Sequence, residues 1–131
     1  MIVVDTSVLI DFFRGKKTKA TRHLQTLEQQ TTPFWIPSIC CQELLQGVKD
    51  DREWEFLHAY LYGQNKLDPT TPWQTHREAA HIYYACRKRG ITVGTIDCYV
   101  AELVIENDGT LLHQDKHFRH IQHVRPLKMF D

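Results

Sequence analysis

Short β-branched runs alternate with longer stretches of helical spacing along this chain. "IVV" at 2–4 is apolar, too short for a helix, and stops at Asp5, which fits a buried strand. "SVLIDFF" then places its apolar residues at helical intervals, and residues 18–30 read as a second helix around Leu24 and Leu27. "FWI" at 34–36, between Pro33 and Pro37, suits a strand. Ser38 is the expected N-cap of a helix over 39–50. A further helix carries Trp54, Leu57, His58 and Leu61 on one side and ends at Gly63, and "NKLDP" holds a short strand before Pro69. The clearest helix spans 72–90: Pro72 opens it, Ala79, Ile82, Tyr83 and Cys86 share a face, basic residues fill its last turn and Gly90 stops it. Thr95 is the expected N-cap of a helix over 96–107, and "TLL" (110–112) and "HVRPL" (123–127) complete the strands.

Short strands alternating with longer helices predict an α/β fold, a mainly parallel sheet covered on both faces. With 131 residues, 42% of them hydrophobic and 24% charged, the chain has room for one real core and is not a disordered polymer. Sixteen basic residues balance sixteen acidic ones, so no global field advertises a polyanion partner; the local stretch "RGKKTKATR" (14–22) is a candidate phosphate-facing patch or a solvated helix entry. No CxxC occurs among Cys40, Cys41, Cys86 and Cys98, which predicts free thiols in a reducing compartment and hence a cytoplasmic protein. Asp5 and Asp11 interrupt the apolar N-terminus, so neither a signal peptide nor a membrane span is expected.

In open parallel sheets, ligands gather beyond the carboxyl ends of strands. Asp5 directly follows "IVV" and Asp115 lies three residues after "TLL"; Asp97 falls in the first turn of its helix and Glu43 one turn into the helix after "FWIP". Each acid alone has a plain explanation as a cap, a dipole complement, a turn residue or a solvated side chain. Together they read as one carboxylate cluster. Two carboxylates about 5 Å apart repel by roughly 3 kcal/mol at an effective dielectric of about 20. Such a cluster therefore calls for a cation or for protons, and oxygen ligands suit Mg²⁺ or Mn²⁺ rather than Zn²⁺.

"VVDTSVLIDFF", the helix with "QELLQG", "GTIDCYVAEL" and "LLHQDKHF" follow one another in this order over essentially all 131 residues. In these segments the chain resembles PIN-domain proteins and, more narrowly, VapC-type ribonuclease toxins of bacterial toxin–antitoxin pairs. The resemblance implies one domain over residues 1–131, a three-layer α/β/α sandwich with a central, mainly parallel sheet. It also implies a Mg²⁺- or Mn²⁺-dependent endoribonuclease that blocks translation by cutting RNA. Carried over by position, Asp5, Glu43, Asp97 and Asp115 are the catalytic acids, with Asp5, Asp97 and Asp115 as metal ligands. Thr6, Ser7 and Thr95 match the polar residues beside them, Thr6 and Thr95 as hydrogen-bonding support. The implied partners are an RNA substrate, a cognate VapB-like antitoxin covering the acidic groove, and a second copy of the chain. Arg14, Lys16, Lys17, Lys116 and His117 are candidate phosphate contacts, and the aromatic-rich 54–63 segment is either a partner patch or core.

One stretch departs from the family pattern. After the fourth strand the family commonly shows Thr, two Asp separated by one residue, and Phe; here those places read His113, Asp115, His117 and Phe118. Other readings compete. A zinc site would draw on His113, His117, His120 and His123, although no Cys lies nearby. Phosphatase or phosphotransfer chemistry also uses an acidic pocket on a parallel sheet, yet it usually wants a second acid in the loop after the first strand. A catalytically silent PIN-like RNA-binding module is the non-enzymatic alternative.

Overall fold

Three-residue apolar strands need neighbours on both sides, and the sheet supplies them. The computed structural model describes residues 1–130. Its strands are β1 (Ile2–Val4), β2 (Trp35–Pro37), β3 (Asn65–Leu67), β4 (Thr110–Leu112) and β5 (Lys128–Met129), all parallel in the order β3-β2-β1-β4-β5. β1 lies in the middle, with Val3 opposite Trp35 on one side and Val4 opposite Leu112 on the other.

The helices are α1 (Thr6–Phe13), α2 (Lys19–Gln29), α3 (Ser38–Gln46), α4 (Asp51–Tyr62), α5 (Pro72–Lys88), α6 (Thr95–Glu106) and α7 (His117–Gln122). From β1 to β2 to β3 the chain steps one way through α1–α4; from β3 it crosses to β4 and β5 through α5–α7 and steps the other way. Crossovers of one hand running in opposite directions put these two helix groups on opposite faces. The direction reverses between β1 and β4, which makes the crevice past their carboxyl ends the place for a ligand.

Val3, Val4, Ile36, Leu111 and Leu112 of the sheet are fully or almost fully buried, as are Leu9 and Leu24 from the first helix group and Ile82, Leu103, Phe118 and Ile121 from the second. Local signals set the helix ends. Thr18 and Thr21 cap α2 reciprocally, Asp50 accepts the Glu53 N–H at 2.8 Å to start α4, and Gly90 follows α5 at φ +76°, a conformation that favours glycine.

The structure corrects three sequence expectations and adds an element. Pro37, not Ser38, occupies the cap position of α3; Ser38 is already helical and donates its hydroxyl to Asp68 Oδ2 at 2.8 Å, and the helix ends at Gly47. Gly94, not Thr95, caps α6, with Thr95 as the first helical residue. Residues 123–127 are not a strand. The N–H groups of Val124 and Arg125 both return to the Ile121 carbonyl at 3.0 Å, prolonging the turn after α7, and Pro126 has no N–H for a ladder. The strand forms only at Lys128, and α7 itself was not expected.

Candidate active site

Asp5 arrives on the end of β1, almost fully buried, and its backbone N–H still belongs to the sheet, donating to Leu112 O at 3.0 Å. Its Oδ2 accepts the Ser7 N–H at 3.0 Å and the Ser7 hydroxyl at 2.7 Å, so it caps α1. The cap and the site are one residue in two roles. Burial raises the Asp5 pKa above the ordinary carboxylate value, the Ser7 bonds oppose that shift, and the charge of Asp115 adds to it.

Asp115 is held in place by a loop stitched to α1. The Gln114 N–H donates to Ser7 Oγ at 3.0 Å, and Gln114 Nε2 donates to Ser7 O at 3.2 Å and to Asp11 Oδ2 at 2.8 Å. Asp115 Oδ1 accepts the His117 N–H at 2.9 Å. Asp97 projects from the first turn of α6, with Oδ2 2.8 Å from His117 Nδ1, and that nitrogen is 3.9 Å from Asp115 Oδ1. One ligand atom from each of Asp97, Asp115 and His117 lies within 4.8 Å of the other two. Burial chiefly pushes Asp97 up to about 6; the His117 contact opposes the shift, and the charges of Asp115 and Asp5 reinforce it. The three carboxylates thus share one field, and a cation or a proton relieves it.

Glu43 joins at the edge, where the buried Thr6 donates its hydroxyl to Glu43 Oε1 at 2.8 Å. Glu43 also lines a groove of about 550 Å³ with Ile10, Phe13, Arg14, Val48 and Phe56. On the Asp115 side lies a recess of about 330 Å³ that holds Lys116 together with Lys19, His23, His113, Arg119 and Phe130.

The four expected acids and Thr6 are therefore gathered around one crevice. Thr95 is not tied to it by any side-chain hydrogen bond among the described residues, and it lines an apolar recess with Ile39, Tyr83, Ile96 and Tyr99. Of the candidate phosphate contacts, Arg14 lies in the groove beside Glu43, Lys16 pairs with Asp11 at 3.8 Å, Lys17 is exposed, and Lys116 sits in the basic recess. His117 faces carboxylates. The histidine quartet of the competing zinc reading does not assemble among the described residues, where Asp97, Asp115 and His117 form the one cluster of metal-ligating side chains. Segment 54–63 divides: Leu57 and Leu61 are core, while Trp54, Phe56 and Tyr62 are exposed.

Sequence reasoning missed Gly94, Gln114 and Arg119, and it held Lys19 only as part of the 14–22 basic stretch. Gly94 has no side chain to offer, and its importance is the absence of one. A Cβ there would stand 3.0 Å from Asp97 Oδ2 and 3.6 Å from His117 Nδ1, so glycine leaves the space in which these two groups meet. The convergence of Lys19 and Arg119 was hidden because they line one recess from segments 100 positions apart.

The four cysteines are free, and no helix among the described residues is long and apolar enough to cross a membrane. Comparison with known proteins agrees with this geometry. The chain is 29% identical over 130 residues to VapC ribonuclease Mb1587 of Mycobacterium bovis, covering 98% of this chain and 96% of that protein, and equally to ribonuclease VapC11 of Mycobacterium tuberculosis. Its fold matches VapBC-1 from nontypeable Haemophilus influenzae with a TM-score of 0.76 at 19% identity, over 100% of this chain and 98% of that one. It matches VapBC2 from Rickettsia felis, solved with a DNA fragment from their promoter, with a TM-score of 0.75 at 16% identity, over 99% and 98%. The PIN domain family model matches residues 2–124, from the first strand past the last helix, and the chain belongs to the PIN-domain family.

Proposed function

We propose that this chain, acting as one domain, is a divalent-metal-dependent endoribonuclease and the toxin of a toxin–antitoxin pair. The observation that carries the reading is the convergence of Asp5, Asp97 and Asp115 at the β1/β4 reversal, where burial first, and then the charges of Asp115 and Asp5, raise Asp97 to about 6. Its support in the comparisons is that relatives spanning nearly the whole chain are named VapC ribonucleases.

The residues fit a divalent cation. Carboxylates forced together, one largely buried and all partly withdrawn from water, bind a cation with relief of their repulsion. Gly94 leaves open the space beside Asp97 that a Cβ would fill. Asp5, Asp97 and Asp115 would hold Mg²⁺ or Mn²⁺, which when bound lowers the pKa of water and neutralises charge on a phosphate. Glu43, held by Thr6, and Asp115 would orient a water and take its proton. The hydrolysis forms a phosphorus–oxygen bond to that water and breaks the bond to the 3′-oxygen, which leaves with a proton. Lys19, Lys116 and Arg119 beside Asp115, and Arg14 beside Glu43, would hold the phosphates on either side of the cut.

The groove that leads from Glu43 past Ile10, Phe13, Val48 and Phe56 is the surface we assign to an antitoxin segment, its apolar residues interleaved with the charges of Arg14, Lys49 and Glu53. The apolar recess of about 590 Å³ around Ile39, Tyr83, Ile96 and Tyr99 is the face we assign to a second copy. We place the protein in the cytoplasm, where four free thiols persist.

The test is cleavage of total cellular RNA by purified protein with Mg²⁺ or Mn²⁺, with chelator, and with Asp97→Asn. The expected outcome is cleavage at mappable sites in the first case only. Cleavage surviving both chelator and Asp97→Asn overturns the metal mechanism; RNA retained without cleavage in either ion favours a silent RNA-binding module.

A further inference from the structure

We propose that His117 is itself a ligand of the cation, giving this site a nitrogen donor and a preference for transition ions such as Mn²⁺, Co²⁺, Ni²⁺ or Zn²⁺ over Mg²⁺. The proposal rests on the metal-binding reading above. It assigns to His117 a role other than phosphate contact, and it follows from how the imidazole is held.

The first observation concerns the lone pair on Nδ1. The Gly94 backbone N–H points at Nδ1 at 3.2 Å, and an N–H donates only to an atom with a free lone pair. Nδ1 thus faces a backbone donor on one side and a carboxylate oxygen on the other. The same Nδ1 stands 2.8 Å from Asp97 Oδ2, another lone-pair donor. An imidazole nitrogen and a carboxylate oxygen at this separation can share a proton or be bridged by a metal ion.

The second observation is the spacing of the donors. Around an octahedral ion with ligands at about 2.1 Å, adjacent donors lie about 3 Å apart and opposite ones about 4.2 Å. The structure places Nδ1 2.8 Å from Asp97 Oδ2 and 3.9 Å from Asp115 Oδ1, and the ligand atoms of all three residues fall within 4.8 Å of one another. These separations are compatible with one ion shared by all three residues.

The third is that the ring is positioned by its backbone. The His117 N–H is fixed on Asp115 Oδ1 at 2.9 Å, and the next residue, Phe118, is fully buried. The imidazole is thus anchored at the start of α7 beside Gly94, whose missing Cβ gives it access to Asp97. Imidazole nitrogen binds the later first-row ions far better than it binds Mg²⁺, which favours oxygen. A histidine here changes which ion the site takes.

The experiment titrates metal-free protein with MnCl₂, follows free Mn²⁺ by electron paramagnetic resonance, and examines bound Mn²⁺ by pulsed methods for coupling to ¹⁴N. Wild type is expected to bind Mn²⁺ with ¹⁴N coupling, which disappears in His117→Asp and in His117→Ala. Competition by MgCl₂ is expected to show the Mn²⁺-over-Mg²⁺ preference falling roughly tenfold or more in His117→Asp. Survival of the ¹⁴N signal in His117→Ala would place it at another histidine and overturn the proposal. Bound Mn²⁺ without ¹⁴N coupling, or an unchanged preference in His117→Asp, also overturns it while leaving the carboxylate site standing. No Mn²⁺ binding even at millimolar concentration removes both the proposal and the metal-dependent reading.

Discussion

Replacing Asp97 by Asn should stabilise the metal-free protein at neutral pH, although it removes a charged residue from the centre of the site. The Asp97 and Asp115 ligand oxygens lie within 4.8 Å of each other. At that separation two full charges repel by roughly 3 kcal/mol at an effective dielectric of about 20. The rise of Asp97 from 3.8 to about 6, caused first by burial and then by the charges of Asp115 and Asp5, puts the combined cost of burial and repulsion at about 3 kcal/mol, at 1.36 kcal/mol per pKa unit. The Asp97 side chain retains 17% of its exposure, and solvent screening reduces the usable value to about 1–2 kcal/mol. The sign follows from linkage. A carboxyl whose folded pKa lies above its unfolded value makes the fold lose stability as pH rises through the interval between them, here about 4 to 6. Above that interval wild type bears the whole penalty and Asn bears none, and the Asn amide can also donate to the Nδ1 lone pair of His117. Urea denaturation in EDTA should show Asp97→Asn gaining about 1–2 kcal/mol at about pH 7.5 and almost nothing at about pH 4. Adding Mn²⁺ should stabilise wild type and not the variant, reversing their order. A loss of stability at neutral pH in EDTA, or a gain that ignores pH, refutes the repulsion on which the reading rests.

Three further expectations concern the surroundings of the site. Thr6→Val keeps shape but removes the 2.8 Å bond to Glu43, so it should lower stability by about 1–2 kcal/mol and RNA cleavage more sharply, with Thr6→Ser recovering both. Lys19→Ala and Arg119→Ala should weaken RNA retention and flatten the salt dependence of log K by about 0.7 each without changing the melting temperature; fluorescence anisotropy at several salt concentrations checks this. Burial, with Glu106 beside it, raises buried Glu102 to about 7, so its ionisation opposes folding as pH rises from about 4.5 through that value. Glu102→Gln should therefore stabilise the fold by about 1–2 kcal/mol at about pH 8 and show no gain at about pH 5, as thermal melts across pH would show.

The carboxylate site was legible because strand exits are legible. "IVV" and "TLL" are continuous apolar runs, such runs are buried in parallel sheets, and the acids that follow them are delivered to the same edge. Asp97 and Glu43 could be added because helical spacing put them in or just after first turns. Caps were less legible, since a hydroxyl before an apolar run signals a helix start without saying which residue keeps extended backbone. Pro37 and Gly94 do so here, one residue before Ser38 and Thr95. The α7 helix escaped notice because only Phe118 and Ile121 of its six residues are buried, too few for a visible period among histidines. Contacts across space were not legible at all: Gln114 acts on Ser7, 107 positions away, and His117 meets Asp97 across 20.

Product chemistry tests the central claim most directly. If water, oriented in this carboxylate crevice, attacks phosphorus and the 3′-oxygen leaves, RNA cut in H₂¹⁸O must carry one ¹⁸O in a new 5′-phosphate opposite a 3′-hydroxyl, and mass spectrometry of the fragments reads this out. The account expects that pattern from wild type with Mn²⁺ or Mg²⁺, and no fragments from Asp5→Asn or in chelator. Fragments ending in a 2′,3′-cyclic phosphate with 5′-hydroxyl partners, or labelled fragments from Asp5→Asn, would contradict it.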